Sequence, residues 1–309
     1  MFDYDAERVR AVLLEITRAN ISPDAGDWFE ANLKAKALPA INSTFSVMPR
    51  KTGKGVITVQ EPDFGTISQI KPGLSLQGWS ADRLARVCFL IHLDPSDKDT
   101  YLKTIESLFM AAEMSELTAL YSSLPLLAYP EDWKMRCAEG IRSNIADVLE
   151  AVMYHNPYPA KYLDDKAWNQ LVMKAVFTDK DINQIYGIDE RANAELALIL
   201  SDYAHERWAA GRSVNPLLWR PTSKFIDARI LNDLRKVLSE GAMEEKVAAA
   251  LAIYNSDSDE ARALLSDYKQ LVSMIENRDL AWDRLYGVRE TGYEMRDTRS
   301  EIRDTRSEI

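Results

Sequence analysis

Apolar side chains recur at intervals of three and four residues along most of this chain, and that spacing constrains the fold more than any other feature. In Asp3–Ala19, for example, Val9, Leu13 and Ile16 fall on one stripe, which is the pattern of an amphipathic helix. Only Lys51–Gln60 has the local character of a strand, and one isolated strand cannot form a sheet. The sequence therefore predicts an all-α fold.

The predicted helices are the periodic segments, each bounded by turn or capping residues. They span Asp3–Ala19, Pro23–Ala37, Pro39–Met48, Ser80–Leu93, Asp97–Ala112, Ser115–Leu124, Glu131–Tyr154, Ala160–Phe177, Glu190–Ala210, Ser223–Glu240, Met243–Asn255 and Asp257–Asn277. Residues 50–78 are expected to form a long irregular connection with one helical turn near Asp63–Ile70. Two arrangements stay open, an irregular HEAT-like stack of helix pairs and a compact multi-helix bundle.

The end of the chain differs from the rest. We expect a single helical domain over residues 1–270, then a C-terminal helix and a charged tail over residues 271–309. Arg296–Ile302 and Arg303–Ile309 both read RDTRSEI. A coiled-coil seam needs two apolar positions per heptad, whereas this repeat supplies one isoleucine. The repeat predicts a frayed, charge-balanced tail.

Charge and hydropathy exclude several classes of partner. The formal net charge is −10, which argues against a nucleic-acid surface because phosphate binding needs concentrated Lys and Arg. No apolar run approaches the roughly 20 residues that cross a bilayer, so we expect no transmembrane segment. The first ten residues are acidic and amphipathic, unlike a secretory signal or transit peptide. We therefore expect a cytoplasmic protein without a nucleic-acid partner.

The two cysteines, Cys88 and Cys137, both lie within apolar helical patterns, which predicts reduced thiols in the core. Cys88 and His92 share a helix face, as a nucleophile and its base would. However, Val87–Leu93 is apolar all round, which is typical of a buried helix. This pattern favours a hydrogen-bonded core histidine over a catalytic pair.

Known catalytic and cofactor motifs are missing. Gly53–Gly55 lacks the upstream glycine of a P-loop, and Val56 stands where Ser or Thr would hold magnesium. His205 begins a sequence like that of zinc proteases, but Ala209 replaces the second histidine. The whole chain has three histidines, too few for a di-iron bundle. We expect neither a metal nor a cofactor.

Two segments, His155–Phe177 and Gly187–Arg220, combine apolar helical patterns with closely spaced polar and aromatic side chains. They are the predicted location of a ligand site. The candidate ligand-binding residues in or near them are Asn144, His155, Asn156, Trp168, Asn169, Lys174, Tyr203, His205, Arg207 and Trp219. No catalytic residue can be assigned among them.

Helical projection indicates how these residues are arranged. If Glu131–Tyr154 forms one helix, Asn144 and His155 lie along the margin of one apolar stripe, and the turn sequence NPYP then brings Trp168 and Lys174 nearby.

In the second segment, Arg207 falls on the apolar stripe of Leu200, whereas Glu195, Asp202 and Glu206 fall on a face that we expect to be solvated. Two roles for Arg207 stay open: it extends from the helix end to solvent, or it clamps an anion in a pocket.

Several longer stretches carry a family resemblance. They read FSVMPRKTGKG at Phe45–Gly55, GWSADRLARVCFLI at Gly78–Ile91, YSSLPLLAYPE at Tyr121–Glu131, EGIRSN at Glu139–Asn144, NPYPAKYLDDKAWNQLVMKAVF at Asn156–Phe177, GIDERANAELA at Gly187–Ala197 and DYAHERWAAGRSVNPLLWR at Asp202–Arg220. Together these stretches resemble the EboA family over roughly residues 10–265.

The resemblance implies a place in a bacterial gene neighbourhood that also encodes a UbiA-like prenyltransferase, a TatD-like hydrolase and a TIM-barrel protein similar to sugar isomerases. That neighbourhood is linked to making or moving a metabolite, and in cyanobacteria to delivering a pigment precursor toward the periplasm. The resemblance carries over no catalytic residues.

Two functional hypotheses follow. The first is a helical binding or scaffold component of a pathway for an isoprenoid or pigment precursor. Its partners would be co-encoded Ebo pathway proteins and a small apolar or anionic metabolite. The second is an enzyme acting on an isoprenoid- or sugar-linked metabolite in a helical pocket, with Asp164, Asp165 or Asp202 supplying acid–base function. The absence of catalytic motifs favours the first.

Overall fold

The computed structural model describes residues 1–285. Helices make up the regular structure of this part of the chain, and its β-pairing is limited to two isolated bridges, Val56 with Ser80 and Tyr154 with Ile185. The predicted all-α class is confirmed. The repeated RDTRSEI tail lies outside the described residues. No helix within residues 1–285 is long and apolar enough to cross a membrane.

The chain forms two compact units. The first contains Met1–Thr178 and Gln184–Arg191, and the second contains Asp179–Asn183 and the described residues 192–285. The α-helices of the first unit are α1 (Ala6–Ala19), α2 (Pro23–Asn32), α3 (Leu38–Thr52), α4 (Glu61–Ile70), α5 (Ala81–His92), α6 (Lys98–Ala111), α7 (Met114–Ser123), α8 (Lys134–Ile141), α9 (Ala146–Met153), α10 (Tyr158–Tyr162) and α11 (Asp165–Phe177). Short 3-10 helices span Leu124–Leu126 and Pro130–Trp133 in the first unit. A third, Ile182–Gln184, has its first two residues in the second unit and its last in the first.

Helix α5 is the centre of the first unit, where it packs against α1, α3 and α7. Every residue from Ala81 to Ile91 except Arg83 is buried, and each leucine-sized side chain so buried contributes about 1.5–3 kcal/mol. Arg86 is also buried, because it pairs with Asp82 at 2.7 Å and donates to the Phe45 carbonyl at 3.0 Å. The predicted buried character of this helix is confirmed.

The predicted single helix Glu131–Tyr154 is wrong. A 3-10 turn precedes α8, which ends at Ile141, and α9 begins only at Ala146. In the break, the Ser143 hydroxyl accepts a hydrogen bond from the Ile145 N–H at 3.1 Å, a local bond that competes with helix continuation. The alignment of Asn144 and His155 along one helix face is therefore wrong as well.

Other predicted bounds also differ from the structure, one of them because of capping. The helix capped by Ser22 ends at Asn32 instead of Ala37, and the single turn near Asp63–Ile70 is a ten-residue helix, α4. Helix α11 begins late because the Asp164 side chain caps it, accepting from the Ala167 N–H at 2.8 Å.

The second unit is built around one alanine-rich helix. Its α-helices are α12 (Ala194–Ala209), α13 (Ala228–Glu240), α14 (Met243–Tyr254), α15 (Asp259–Ala263) and α16 (Lys269–Glu276), with 3-10 helices at Pro216–Phe225 and Leu264–Asp267. Helix α14 packs against α13 and Pro216–Phe225, and its residues Val247–Ile253 are all buried. The predicted helices Ser223–Glu240 and Asp257–Asn277 are wrong as continuous helices. Residues 223–225 belong to the 3-10 helix that precedes α13, and the 3-10 helix Leu264–Asp267 separates α15 from α16.

Candidate functional site

The first unit contains a pocket of about 370 Å³, near the lower end of the roughly 300–1,000 Å³ typical of small-molecule sites. It lies among the segment before α1, the end of α4 with the turn after it, α10, and the chain from Tyr186 to Arg191. Its walls are mainly tyrosine and proline, and its polar groups are mainly charged. The lining residues are Asp3, Tyr4, Ile70, Lys71, Pro72, Pro125, Pro157, Tyr158, Ala160, Lys161, Tyr162, Tyr186, Gly187, Glu190 and Arg191.

Buried Asn156 shapes the sharp turn of the NPYP sequence, Asn156–Pro159, which we call the corner. The corner contributes Pro157 and Tyr158 to the pocket wall. Its amide nitrogen donates to the carbonyls of Ala151 at 2.9 Å and Tyr121 at 3.2 Å, and its amide oxygen accepts from the Tyr158 N–H at 3.0 Å. The bond to Ala151 satisfies one of the free carbonyls at the end of α9. Because His155 has a φ of 49°, the chain turns sharply here and presents Pro157 and Tyr158 to the pocket.

A carboxylate with three donors lies in the pocket. The Asp3 carboxylate accepts from the Lys71 Nζ at 2.7 Å, the Lys161 Nζ at 2.5 Å and the Tyr162 hydroxyl at 2.6 Å. Burial alone would raise the pKa of Asp3, but these hydrogen bonds lower it well below its ordinary value. Burial lowers the pKa of Lys71 despite its bond to Asp3, whereas the Asp3 hydrogen bond raises the pKa of Lys161. Asp3 is therefore ionised at neutral pH.

Three tyrosines that line the pocket, Tyr4, Tyr158 and Tyr162, have hydroxyl groups that are already hydrogen-bonded. Tyr4 donates to the Leu126 carbonyl at 2.7 Å, and Tyr158 donates to the Pro130 carbonyl at 2.5 Å. The rings of Tyr158 and Tyr162 are 4.8 Å apart at an angle of 35°. Burial raises the pKa of Tyr4 and Tyr158, and raises that of Tyr162 to about 12. These phenols are consequently neutral at physiological pH.

Arg191 connects the chain at Gly187–Arg191 to α10 and the residue after it, Leu163. Its guanidinium donates to the carbonyls of Ala160 at 2.5 Å and Leu163 at 3.0 Å, and lies 5.1 Å from the centre of the Trp168 ring. Gly187 has a φ of 82°, and a Cβ there would lie 2.7 Å from the Cβ of Ala160. Glycine is therefore required for this close approach.

The candidate residues predicted from sequence in the first unit do not line the pocket. Trp168 and Asn169 are buried in α11, and Asn156 is buried behind Pro157. Asn144 is exposed and accepts from the Lys174 Nζ at 3.0 Å. His155 takes part through its backbone, since its N–H donates to the Gln184 carbonyl at 2.9 Å. Their role in ligand binding stays a prediction.

Asp3, Lys71 and Tyr186 line the pocket but lie outside the segments that the sequence had marked. Asp3 lies in the first few residues, and Lys71 follows it by 68 positions. Tyr186 lies over Gly73, where a Cβ would come within 2.1 Å of its ring. Lys161 lies in one segment that the sequence had marked, His155–Phe177, and Glu190 and Arg191 lie in the other, Gly187–Arg220.

The second unit has its own cluster around a buried acid. Asp233 in α13 is 5 % exposed and accepts from the Ser201 hydroxyl at 2.6 Å and the His205 Nε2 at 2.6 Å. Because the acid lies between the serine and the histidine, His205 does not activate Ser201, and the geometry is not that of a Ser-His-Asp triad. The Trp208 ring lies 5.6 Å from the His205 ring.

Three further predicted residues belong to the second unit. The Trp219 ring stacks on Trp208 at 6.1 Å and is 1 % exposed. Arg207 is half-exposed, and its Nε donates to the Ser213 carbonyl at 3.0 Å, beyond the end of α12. Tyr203 is half-exposed on the same helix.

The predicted solvated face of α12 is confirmed. Glu195, Asp202 and Glu206 are all exposed. Asp202 pairs with Arg229.

The cysteines behave as core thiols, as predicted. Cys88 and Cys137 are free and buried, and burial raises the pKa of Cys88 to about 12. The His92 Nδ1 donates to the Cys88 carbonyl at 2.7 Å, so this histidine is engaged by its own helix. Within residues 1–285, no group of three or more His, Cys, Asp or Glu side chains is placed to hold a metal ion.

Fold and pocket define the class of protein: an all-α protein with a small-molecule-sized pocket in its first unit. A family model described as "Metabolite traffic protein EboA" matches residues 9–223, and the chain belongs to the EboA family. The match includes most of the first unit and α12 of the second. Neither curated proteins nor solved structures give a match to this chain.

Proposed function

We propose that this chain is a helical binding component of a bacterial pathway that makes or moves an isoprenoid or pigment precursor. In this proposal it acts in the cytoplasm, and its ligand occupies the pocket beside the NPYP corner. The observation that supports it most is the pocket itself: about 370 Å³, walled by tyrosine and proline, with Lys71 and Lys161 fixed at one side. A description of the family as metabolite traffic proteins agrees with such a site.

The chemistry of the pocket favours binding over catalysis. A general acid or base works best with a pKa near the working pH. The pKa values of Tyr4, Tyr158 and Tyr162 are raised and the pKa of Asp3 is lowered, so these four groups keep one protonation state near neutral pH. Such groups provide apolar surface and fixed charge, which hold a ligand without transforming it.

The test is whether a pathway metabolite co-purifies with the protein and depends on the pocket. The chain would be produced together with the co-encoded pathway proteins, and small molecules released by denaturation would be identified by mass spectrometry. Ile70→Trp fills the pocket from its rim. Leu198→Trp makes a comparable change on an exposed part of α12. We expect a metabolite with the wild type and Leu198→Trp but not with Ile70→Trp.

Equal amounts of metabolite on Ile70→Trp and Leu198→Trp would exclude this pocket as the site. Absence of any metabolite from the wild type would contradict the binding function. The same cells allow affinity purification against the co-encoded proteins, which tests the scaffold part of the proposal: none of them retained on the wild-type chain would contradict it.

The second candidate function, an enzyme in a helical pocket, is favoured by one observation. A buried carboxylate, Asp233, orients a partly exposed histidine, His205, as second groups orient catalytic histidines. The three acids that the sequence suggested for acid–base function make structural contacts instead. Asp164 caps α11, Asp165 pairs with Arg191 at 3.1 Å, and Asp202 pairs with Arg229. If purified wild type converts a pathway metabolite and His205→Ala does not, this second function replaces the first.

A further inference from the structure

The Asp3 carboxylate is bound as a ligand's acid group would be bound. Its Oδ1 accepts from Lys71, and its Oδ2 accepts from Lys161 and Tyr162. Charge-assisted bonds of this kind to both oxygens are the usual means by which proteins recognise a carboxylate. The donors belong to the turn after α4 and to α10, whereas Asp3 comes from the short segment before α1. One segment of the chain thus places an acid in a site that other elements build.

The segment that carries Asp3 is held by few bonds outside this cluster. Residues Met1–Asp5 precede the first helix, and the Met1 carbonyl accepts from the Tyr129 N–H at 3.0 Å. The Tyr4 hydroxyl donates to the Leu126 carbonyl. Asp5 is fixed as the cap of α1, but among residues 1–4 only Met1 makes a backbone–backbone hydrogen bond within the described part of the chain. This short stretch therefore opens at a lower free-energy cost than a helix of the core.

Charge decides what can replace Asp3. The Lys71 side chain is only 10 % exposed, and a buried ammonium without a counter-charge is strongly disfavoured. A ligand that displaces Asp3 must therefore bring its own negative group. The body of that ligand would lie against the rings of Tyr162, which is half-buried, and Tyr186, which is 41 % exposed; both line the pocket and offer flat apolar faces suited to an aromatic group.

We propose that the pocket binds a small aromatic carboxylate, and that Asp3 occupies the position of the ligand's carboxylate when the pocket is empty. The inference rests on the proposed function, since it requires this pocket to be the ligand site. It adds the chemical class of the ligand and an internal competitor. Only molecules with Asp3 released can bind the ligand. The apparent affinity is therefore the intrinsic affinity multiplied by the fraction of molecules in that state.

Isothermal titration calorimetry on purified full-length variants tests the proposal, with 2-naphthylacetate as the probe. Asp3→Asn removes the competing charge at nearly constant size. Glu190→Gln removes one charge from the same pocket without releasing a lysine. We expect Asp3→Asn to bind the probe on the order of ten-fold more tightly than wild type, and Glu190→Gln to gain about two-fold at most. Adding Lys161→Met to Asp3→Asn should remove most of the gain.

Two further probes give the ligand class. The uncharged analogue 2-naphthylacetamide should show no gain with Asp3→Asn, and 2-naphthyl phosphate should gain less than the carboxylate because the donors match two oxygens. Equal gains for acid and amide, equal gains for Asp3→Asn and Glu190→Gln, a larger gain for the phosphate, or no binding of the acid to Asp3→Asn would each overturn the proposal. None of these results decides whether a metabolite co-purifies, so the binding function is judged separately by Ile70→Trp.

Discussion

Replacing Asn156 by alanine is expected to destabilise the corner on which the pocket depends. Its side chain is 3 % exposed and makes three hydrogen bonds with backbone groups, two as donor and one as acceptor. Alanine leaves the carbonyls of Tyr121 and Ala151 and the N–H of Tyr158 without these partners. The Ala151 carbonyl lies at the end of α9, where no further helical N–H can reach it.

The expected magnitude follows from the number of groups left unpaired. Each buried polar group that loses its partner costs about 1–3 kcal/mol. The three losses are not additive, because the vacated volume allows some rearrangement and entry of water. A net loss of about 3 kcal/mol is expected, which lowers the midpoint of thermal unfolding by about 6–12 °C for a unit of this size.

Thermal and urea unfolding followed by circular dichroism would measure the effect. The matched control is Asn144→Ala, which removes an exposed asparagine with one hydrogen bond, to Lys174. Such surface changes are usually within about 0.5 kcal/mol. Should Asn156→Ala lose no more stability than Asn144→Ala, the three bonds would not hold the corner, and the account of how the pocket is shaped would be wrong.

Three further predictions concern other parts of the first unit. Gly187→Ala should lower the unfolding midpoint by several degrees, because it combines a φ of 82° with a contact to Ala160; an unchanged melting curve would contradict this. Cys88 and Cys137 should not react with a thiol reagent in the folded protein and should both react in denaturant, as burial raises both pKa values; rapid labelling of the native protein would contradict this. The pKa of Asp3 is lowered from 3.8 in the folded protein, so its stabilising contribution is complete above about pH 4 and is lost as the pH falls further. The difference in melting temperature between wild type and Asp3→Asn should therefore shrink below pH 4, and a constant difference would contradict the ion pairs.

Sequence periodicity and capping residues predicted that helices α1, α5 and α13 exist. Helices α1, α5 and α13 begin within a few residues of capping side chains, Asp5, Ser80 and Asp227, that accept from the first turn. Capping and periodicity are local properties, so they can be read from one segment of the chain. Helix α5 was also expected to be buried, because its last turns are apolar on all sides.

Periodicity failed where a distant contact decides the local structure. The segment from Lys134 to Met153 has a continuous helical pattern, yet it breaks after Ile141. A Cβ at Gly140 would lie 2.6 Å from both Tyr121 and Val152. The glycine thus allows the end of α8 to pack tightly against α7 and α9. This long-range contact acts together with the local Ser143 hydrogen bond at the break, and no local pattern contains it.

The pocket shows the same limit. The turn NPYP marked one wall, because two prolines and an asparagine so close together predict a sharp corner. Lys71 and Lys161 follow Asp3 by 68 and 158 positions, and no spacing rule connects them.

A better signal existed for Asp233, since this acid interrupts the apolar stripe of Ile230, Leu234 and Val237 in α13. An acid at a core position needs buried partners.

The two acids, Asp3 and Asp233, differ in a way that decides which of them can be exchanged. Asp233 is 5 % exposed, and its partner Ser201 is fully buried within α12, so releasing it would leave buried polar groups unpaired in a helical core. Asp3 lies outside any helix, and one of its partners, Lys161, has a side chain that is 57 % exposed. Water can replace Asp3 on Lys161 at small cost, and the carboxylate of a ligand can replace it on the buried Lys71, whereas no such replacement is open to Ser201. Asp233 is therefore suited to hold His205 in one orientation, and Asp3 is suited to give way to a ligand.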